Sequence, residues 1–378
     1  MTRTVLVAGG GTAGHVFPAI AVAKELTRQA PNVEPRFVGV PERLEGRLVP
    51  AAGFQLHAIE AASIPRGPSP RLLRVPGTIR AGVRRCMAIA REHTAVGVVT
   101  FGGYVSFPMD RAAKRLGLPL VIHEQNSVPG LTNRIAARWA DRVAVTFAGS
   151  ATRFPHPERC AVTGNPVRED VLRLDRLGQR AAARRAFGLE PDLPTVLVFG
   201  GSQGARSLNR AIIDAHPHWG DIELQVLHAA GRGGYAEAAV AWERARAASP
   251  GPGTRLVDFI ERMSQAYAAA DVVVCRAGAT SMAELTVIGL PAVLVPYPHA
   301  TADHQTENAR ALERAGGAIM IPDADLNGMS LTQAVRPLLA DPARCAAVAR
   351  ASRVFGRPDA AANVARLVLG LLPPGDAS

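Results

Sequence analysis

Short apolar runs closed by glycine, proline or a polar cluster recur along this chain, with helically spaced stretches between them. Runs of that kind are strands buried on both faces, and their alternation with helices is the pattern of a parallel sheet. The pattern predicts strands over residues 4–8, 35–40, 55–59, 97–100, 120–123, 142–145 and 159–162. A second series follows over 195–199, 223–228, 254–257, 272–275, 292–295 and 318–321. Two similar series imply two doubly wound α/β domains. The break between them is expected in Gly164-Asn165-Pro166-Val167-Arg168, a cluster that ends a strand, giving domains over 1–164 and 165–357.

One unit opens both series. Thr4-Val5-Leu6-Val7 leads into Gly9-Gly10-Gly11-Thr12-Ala13-Gly14-His15, and Thr195-Val196-Leu197-Val198 leads into Gly200-Gly201-Ser202-Gln203-Gly204-Ala205-Arg206, each followed by a helical stretch. Glycine at a strand-to-helix junction lets a ligand approach the backbone, and the first N–H groups of the helix point at it with partial positive charge. Such a junction binds phosphate. Two of them suggest two domains that face one phosphorylated ligand across a cleft.

Composition supports a folded protein with a sizeable core: 48% of the 378 residues are hydrophobic and 20% charged. Lys and Arg number 43 against 32 acidic residues, a formal charge of +11. That balance suits nucleic acid, an anionic membrane or an anionic small molecule. An aromatic content of 5%, without basic tracts interleaved with aromatics, argues against nucleic acid. The four cysteines, Cys86, Cys160, Cys275 and Cys345, have no metal-ligand spacing and read as reduced thiols of a cytosolic protein. No signal peptide and no membrane span are expected.

Several segments carry candidate chemistry. Gly9, Gly11 and Gly14 satisfy GxGxxG, but Val38-Gly39-Val40 ends the next strand without the acidic residue a nicotinamide dinucleotide needs. His15 stands at a helix start, where the dipole disfavours its charged form and keeps it available as a base; a helix-start histidine bonded to a neighbour fits the local sequence equally. Gly102-Gly103-Tyr104-Val105-Ser106, His123-Glu124-Gln125-Asn126 and the Gly164–Arg168 cluster all follow strands, where open α/β sheets bind ligands. In the second half, Cys275-Arg276-Ala277-Gly278-Ala279-Thr280-Ser281-Met282-Ala283-Glu284 repeats the strand-to-helix plan, and Glu284 suits ribose hydroxyls. His304, Gln305 and Asn308 form a polar set suited to sugar. Asp323-Ala324-Asp325 reads as a polar turn rather than a metal–diphosphate site. Around residues 63–89, Leu72, Leu73, Val75 and Ile79 interleave with Arg71, Arg74 and Arg80; this is a surface loop leading into a helix or a patch for anionic lipid.

Taken in order, GGTAGHVFPA, FGGYVS, HEQN, GNPVR, FGGSQGAR, CRAGATSMAE and DHQTENA resemble the MurG family, glycosyltransferases of bacterial peptidoglycan synthesis. The resemblance implies the two-domain glycosyltransferase B fold, with the last helix, about 358–373, packing back on the N-terminal domain. It implies inverting transfer of N-acetylglucosamine from UDP-GlcNAc to the 4-hydroxyl of the N-acetylmuramoyl unit of lipid I, giving lipid II at the cytoplasmic face of the plasma membrane, without metal or cofactor. The donor would sit mainly on the C-terminal domain and the lipid-linked acceptor on the N-terminal one.

Carried onto this chain, Glu284 would hold the ribose and the backbone near Ile260 the uracil. Ser202, Arg168 and the run Ala279, Thr280, Ser281, Met282 and Ala283 would surround the diphosphate. Gln305 and Asn126 would read the sugar hydroxyls, and Thr12, Ala13 and Gly14 would close over the reaction centre. His15 would be the general base, with Glu124 or His123 in reserve, and Gly103, Tyr104, Ser106 and His123 would face the acceptor. Three departures stand out: Ala13 and Phe107 replace glycines, and His304 stands near a second glutamine of some relatives. Other readings are a glycosyltransferase with a different acceptor, a nicotinamide-dependent oxidoreductase resting on the first glycine loop, and a membrane scaffold without chemistry.

Overall fold

The computed structural model describes residues 2–61, 75–201, 203–220 and 222–374. Two compact units divide it: Met1–Arg168 with Arg357–Ser378, and Glu169–Gly356. In the first, strands β1 (Arg3–Ala8), β2 (Val33–Gly39), β3 (Leu56–Ala58), β4 (Ala95–Thr100), β5 (Leu120–Glu124), β6 (Arg142–Val145) and β7 (Cys160–Val162) pair in the order β3-β2-β1-β4-β5-β6-β7. In the second, β8 (Thr195–Phe199), β9 (Gln225–Ala229), β10 (Gly253–Val257), β11 (Val272–Arg276), β12 (Ala292–Val295) and β13 (Ile319–Met320) pair as β10-β9-β8-β11-β12-β13. Every pairing is parallel. Each apolar run singled out in the sequence has its strand.

Burial on both faces explains why these strands read as continuous apolar runs. Leu6, Ala8, Val98 and Ile122 face one core of the first unit, while Val5, Val7, Val99 and Val121 face the other. Helix Ala360–Leu369 supplies Val364 and Val368, and Leu372 follows, to the core built on helix Ala13–Gln29. Burial of each such side chain stabilises the unit by roughly 1.5–3 kcal/mol. In the second unit Val196, Val198, Val226 and Val274 meet Trp219 and Trp242, both fully buried.

The strand orders locate the ligand-binding ends. The chain leaves β1 towards β2 on one side and returns to β4 on the other, so the order reverses between β1 and β4; β8 and β11 play the same parts in the second sheet. Crevices at the carboxyl ends of such strands receive ligands. The strongest glycine motifs follow these four strands.

Candidate functional site

In the first unit the loops after β1 and β4 interlock. Gly103 has φ +83°, and a Cβ there would lie 2.7 Å from the Gly10 carbonyl oxygen and 3.3 Å from His15 Nδ1. Only glycine allows this approach. Tyr104 packs its ring on Gly11, and burial pushes its phenol up from its ordinary pKa, with the Glu45 carboxylate adding to the shift. Ser106 is buried and donates to the carbonyls of Ala8 (3.1 Å) and Gly102 (2.7 Å), tying the two strand ends together.

The buried carboxylate of Glu45 accepts the Gly11 N–H at 3.1 Å and the Val40 N–H at 3.3 Å. Sequence reasoning missed it, because Glu45 lies on helix Leu44–Ala51 and its role exists only after folding. The Gly11 N–H is thus committed. Thr12 is the N-cap, and the N–H groups of Ala13 and Gly14 begin helix Ala13–Gln29 without intrahelical acceptors. Positive φ falls on Gly11, whereas Ala13 starts the helix outside the left-handed region, so the alanine departure introduces no strain. Phe107 is a half-buried residue of helix Ser106–Leu116.

His15 Nδ1 lies 3.1 Å from the Gly10 carbonyl and 3.0 Å from Thr12 Oγ1. A carbonyl only accepts, so Nδ1 carries a proton, and in the neutral ring the lone pair is on Nε2. His123 is instead fully buried, with Nε2 3.0 Å from the Gly164 carbonyl and Nδ1 accepting from Gln125 Nε2 at 3.2 Å. Burial holds its pKa down to about 4, a neutral ring with both nitrogens engaged.

Glu124 accepts from the N–H groups of Asn126 (3.0 Å) and Gly130 (3.0 Å) and from the side chains of Asn126 (3.3 Å) and Asn133 (2.8 Å). Burial raises its pKa and these donors oppose the shift. Both reserve bases therefore anchor loops. Arg168 stacks on Phe17, 4.6 Å from the ring centroid.

In the second unit the loop after β8 folds onto the end of β9. Gly204 has φ +76°, and a Cβ there would lie 2.1 Å from the Ala230 carbonyl oxygen. Ser202 lies outside the described residues. Helix Ala279–Ile288 follows β11 with Gly278 as N-cap. Ala279 and Met282 are buried, and Ser281 and Ala283 half-buried. Thr280 Oγ1 is buried without a hydrogen-bond partner, as are both carboxamide atoms of Asn165 in the first unit.

Glu284, only 3% exposed, accepts from the Tyr267 hydroxyl at 2.8 Å, a partner the sequence does not reveal. Ile260 is buried. Gln305 Oε1 accepts the Tyr297 N–H at 3.0 Å. Asn308 is fully buried and donates to the Ala277 carbonyl at 3.3 Å, so it braces the turn before the helix. His304 Nδ1 bonds the Thr301 carbonyl at 2.8 Å. Asp323 pairs with Arg276 at 2.5 Å, and among the described residues no group of three or more His, Cys, Asp or Glu could hold a metal ion.

The basic segment is described in part. Arg71, Leu72, Leu73 and Arg74 lie outside the described residues, and only the backbone of Val75 is described, at the start of helix Val75–Glu92. Ile79 packs against the core, while Arg80, Arg84 and Arg85 are exposed. Among the described residues no helix is long and apolar enough to cross a membrane.

Comparison with known proteins agrees with this architecture. The N-terminal domain of glycosyltransferase family 28 matches residues 5–145 and its C-terminal domain residues 195–364. A UDP-N-acetylglucosamine–N-acetylmuramyl-(pentapeptide) pyrophosphoryl-undecaprenol N-acetylglucosamine transferase of Nocardioides sp. is 45% identical over 97% of this chain and 98% of its own. The protein of the same name from Streptomyces coelicolor is 44% identical over 94% of each chain. The crystal structure of Acinetobacter baumannii MurG superposes with a TM-score of 0.75 at 30% identity, covering 97% of this chain and 99% of that one.

Proposed function

This chain belongs to glycosyltransferase family 28, and we propose from that membership that it transfers N-acetylglucosamine from UDP-GlcNAc to the 4-hydroxyl of the N-acetylmuramoyl unit of lipid I, with inversion, to make lipid II. The observation that carries the reading is the near full-length match to transferases of that name. The nicotinamide alternative finds no support: the carboxylate beside the first glycine loop, Glu45, is committed to two backbone N–H groups.

The donor belongs to the second unit. Glu284 holds the ribose, the backbone at Ile260 meets uracil, and Ser202 with Ala279, Thr280, Ser281, Met282 and Ala283 surrounds the diphosphate. Gln305 and Asn126 read the sugar hydroxyls. Arg168, Thr12, Ala13 and Gly14 stabilise charge at the diphosphate and the reaction centre. Gly103, Tyr104, Ser106 and His123 belong to the acceptor side, Ser106 and His123 as supports of its loops.

Displacement at the anomeric carbon makes the sugar cationic and the departing UDP anionic, so helix N-termini and an arginine lower the barrier. His15 takes the proton of the attacking hydroxyl on Nε2, and the Gly10 carbonyl stabilises the imidazolium through Nδ1–H. With a lipid-linked acceptor, the enzyme works at the cytoplasmic face of the plasma membrane. The exposed Arg80, Arg84 and Arg85 of helix Val75–Glu92 support contact with anionic headgroups. The test is UDP release from UDP-GlcNAc with a short-chain lipid I analogue in detergent, with the product linkage read by NMR. A β-linked product and acceptor-dependent UDP release are expected; a retained anomeric configuration or acceptor-independent release contradicts the reading.

A further inference from the structure

The guanidinium of Arg276, the last residue of β11, gathers the segments around Gln305. Its Nη1 donates to the carbonyl oxygens of Val295 (3.3 Å) and Pro296 (3.0 Å) and to Asp323 Oδ1 (2.5 Å), and its Nη2 donates to Ser207 Oγ (2.8 Å). Ser207 in turn donates to the same Asp323 oxygen at 2.7 Å, which fixes the direction of its one proton. The guanidinium carbon of Arg276 lies over the Tyr297 ring, 5.6 Å from its centroid. The Tyr297 N–H then reaches Gln305 Oε1. Asp323, which the sequence placed in a polar turn, is the carboxylate that holds this arginine.

A backbone N–H only donates, so the Gln305 atom facing it is its oxygen, and what the carboxamide retains for a ligand is its amino group. We propose that Arg276 is a positioning residue for sugar recognition: by clamping residues 295–297 it holds Gln305 as a hydrogen-bond donor to a hydroxyl oxygen of the hexosamine in a nucleoside diphosphate sugar. The inference rests on the donor reading of the second unit. A lysine keeps the charge but has neither the planar fork nor the stacking face, so it cannot hold two carbonyls, a carboxylate, a hydroxyl and a ring at once.

The experiment is calorimetric titration of the full-length protein with UDP and, separately, with UDP-GlcNAc, comparing wild type, Arg276→Lys and Gln305→Glu, with KM and kcat for sugar transfer measured alongside. Arg276→Lys is expected to leave UDP affinity within about twofold while UDP-GlcNAc affinity falls about tenfold, the size of one well-placed hydrogen bond and its geometry. KM rises in step and kcat stays within about threefold. Gln305→Glu preserves the acceptor for Tyr297 but removes the donor, so it gives the same selective loss. The double variant adds little, because both changes act on one contact.

Parallel loss of UDP and UDP-GlcNAc affinity in Arg276→Lys overturns the proposal, as does an unchanged ratio of the two. If Arg276→Lys does not fold, Tyr297→Leu, which keeps the backbone N–H and loses the stack, carries the test: a smaller loss confined to UDP-GlcNAc supports it and an unchanged ratio overturns it. A wild-type protein that binds UDP but not UDP-GlcNAc contradicts the donor reading itself, an outcome distinct from any effect of the variants.

Discussion

The two glycine loops look like copies in sequence and differ in charge once folded. After β1, the loop is gripped by the Glu45 carboxylate at Gly11 and presents His15 with its Nε2 lone pair. After β8, the loop rests on the main chain at Ala230, and among the described residues none of its hydrogen bonds goes to a carboxylate. A buried carboxylate at a loop N–H opposes the binding of phosphate there, while an uncapped helix start with small residues favours it. Duplication of a motif does not duplicate its surroundings: the first loop is tied to a buried carboxylate, the second to the main chain.

The largest test of that contrast is His15→Ala, expected to lower turnover by about 10²–10⁴-fold, the range for a lost general base, as followed by transfer to a lipid I analogue. Near-normal turnover hands the base role to another group. Glu284→Ala sharpens the other side: loss of charge-assisted hydrogen bonds to ribose should weaken UDP-GlcNAc binding about 10–100-fold by calorimetry. Unchanged affinity removes the ribose assignment.

Glu45→Ala leaves the Gly11 and Val40 N–H groups without their acceptor, and should destabilise the protein by about 1–3 kcal/mol in denaturant titration. Turnover should fall further than donor affinity; equal falls erase the distinction between the loops. Ala13→Gly is expected to change turnover by less than about twofold, since Ala13 already sits at a helical residue's conformation. A large gain in activity from that change returns strain to the first loop.

Much of this was legible in the chain. Strands buried on both faces leave unbroken apolar runs, so all the strand positions could be read, and glycine loops mark the ends where ligands bind because only glycine permits Gly103 against Gly10. What could not be read are partners joined by tertiary folding. Glu45 lies beyond an intervening strand from Gly11, Tyr267 precedes Glu284 by a strand and a turn, and Arg276 gathers side chains from across the second unit. Glu124 and His123 looked catalytic because acid and histidine in a strand-end motif fit that role; only burial and their hydrogen bonds reveal them as loop anchors. Ala13 takes the place of a glycine without strain, because the left-handed residue of the loop is Gly11.

The most direct test is the affinity of His15→Ala for UDP-GlcNAc, measured by calorimetry on the same preparation whose turnover is assayed. The account predicts affinity within about twofold of wild type while turnover collapses, separating proton transfer by His15 from donor binding. Affinity falling in proportion to turnover would contradict it and make His15 a donor-binding residue.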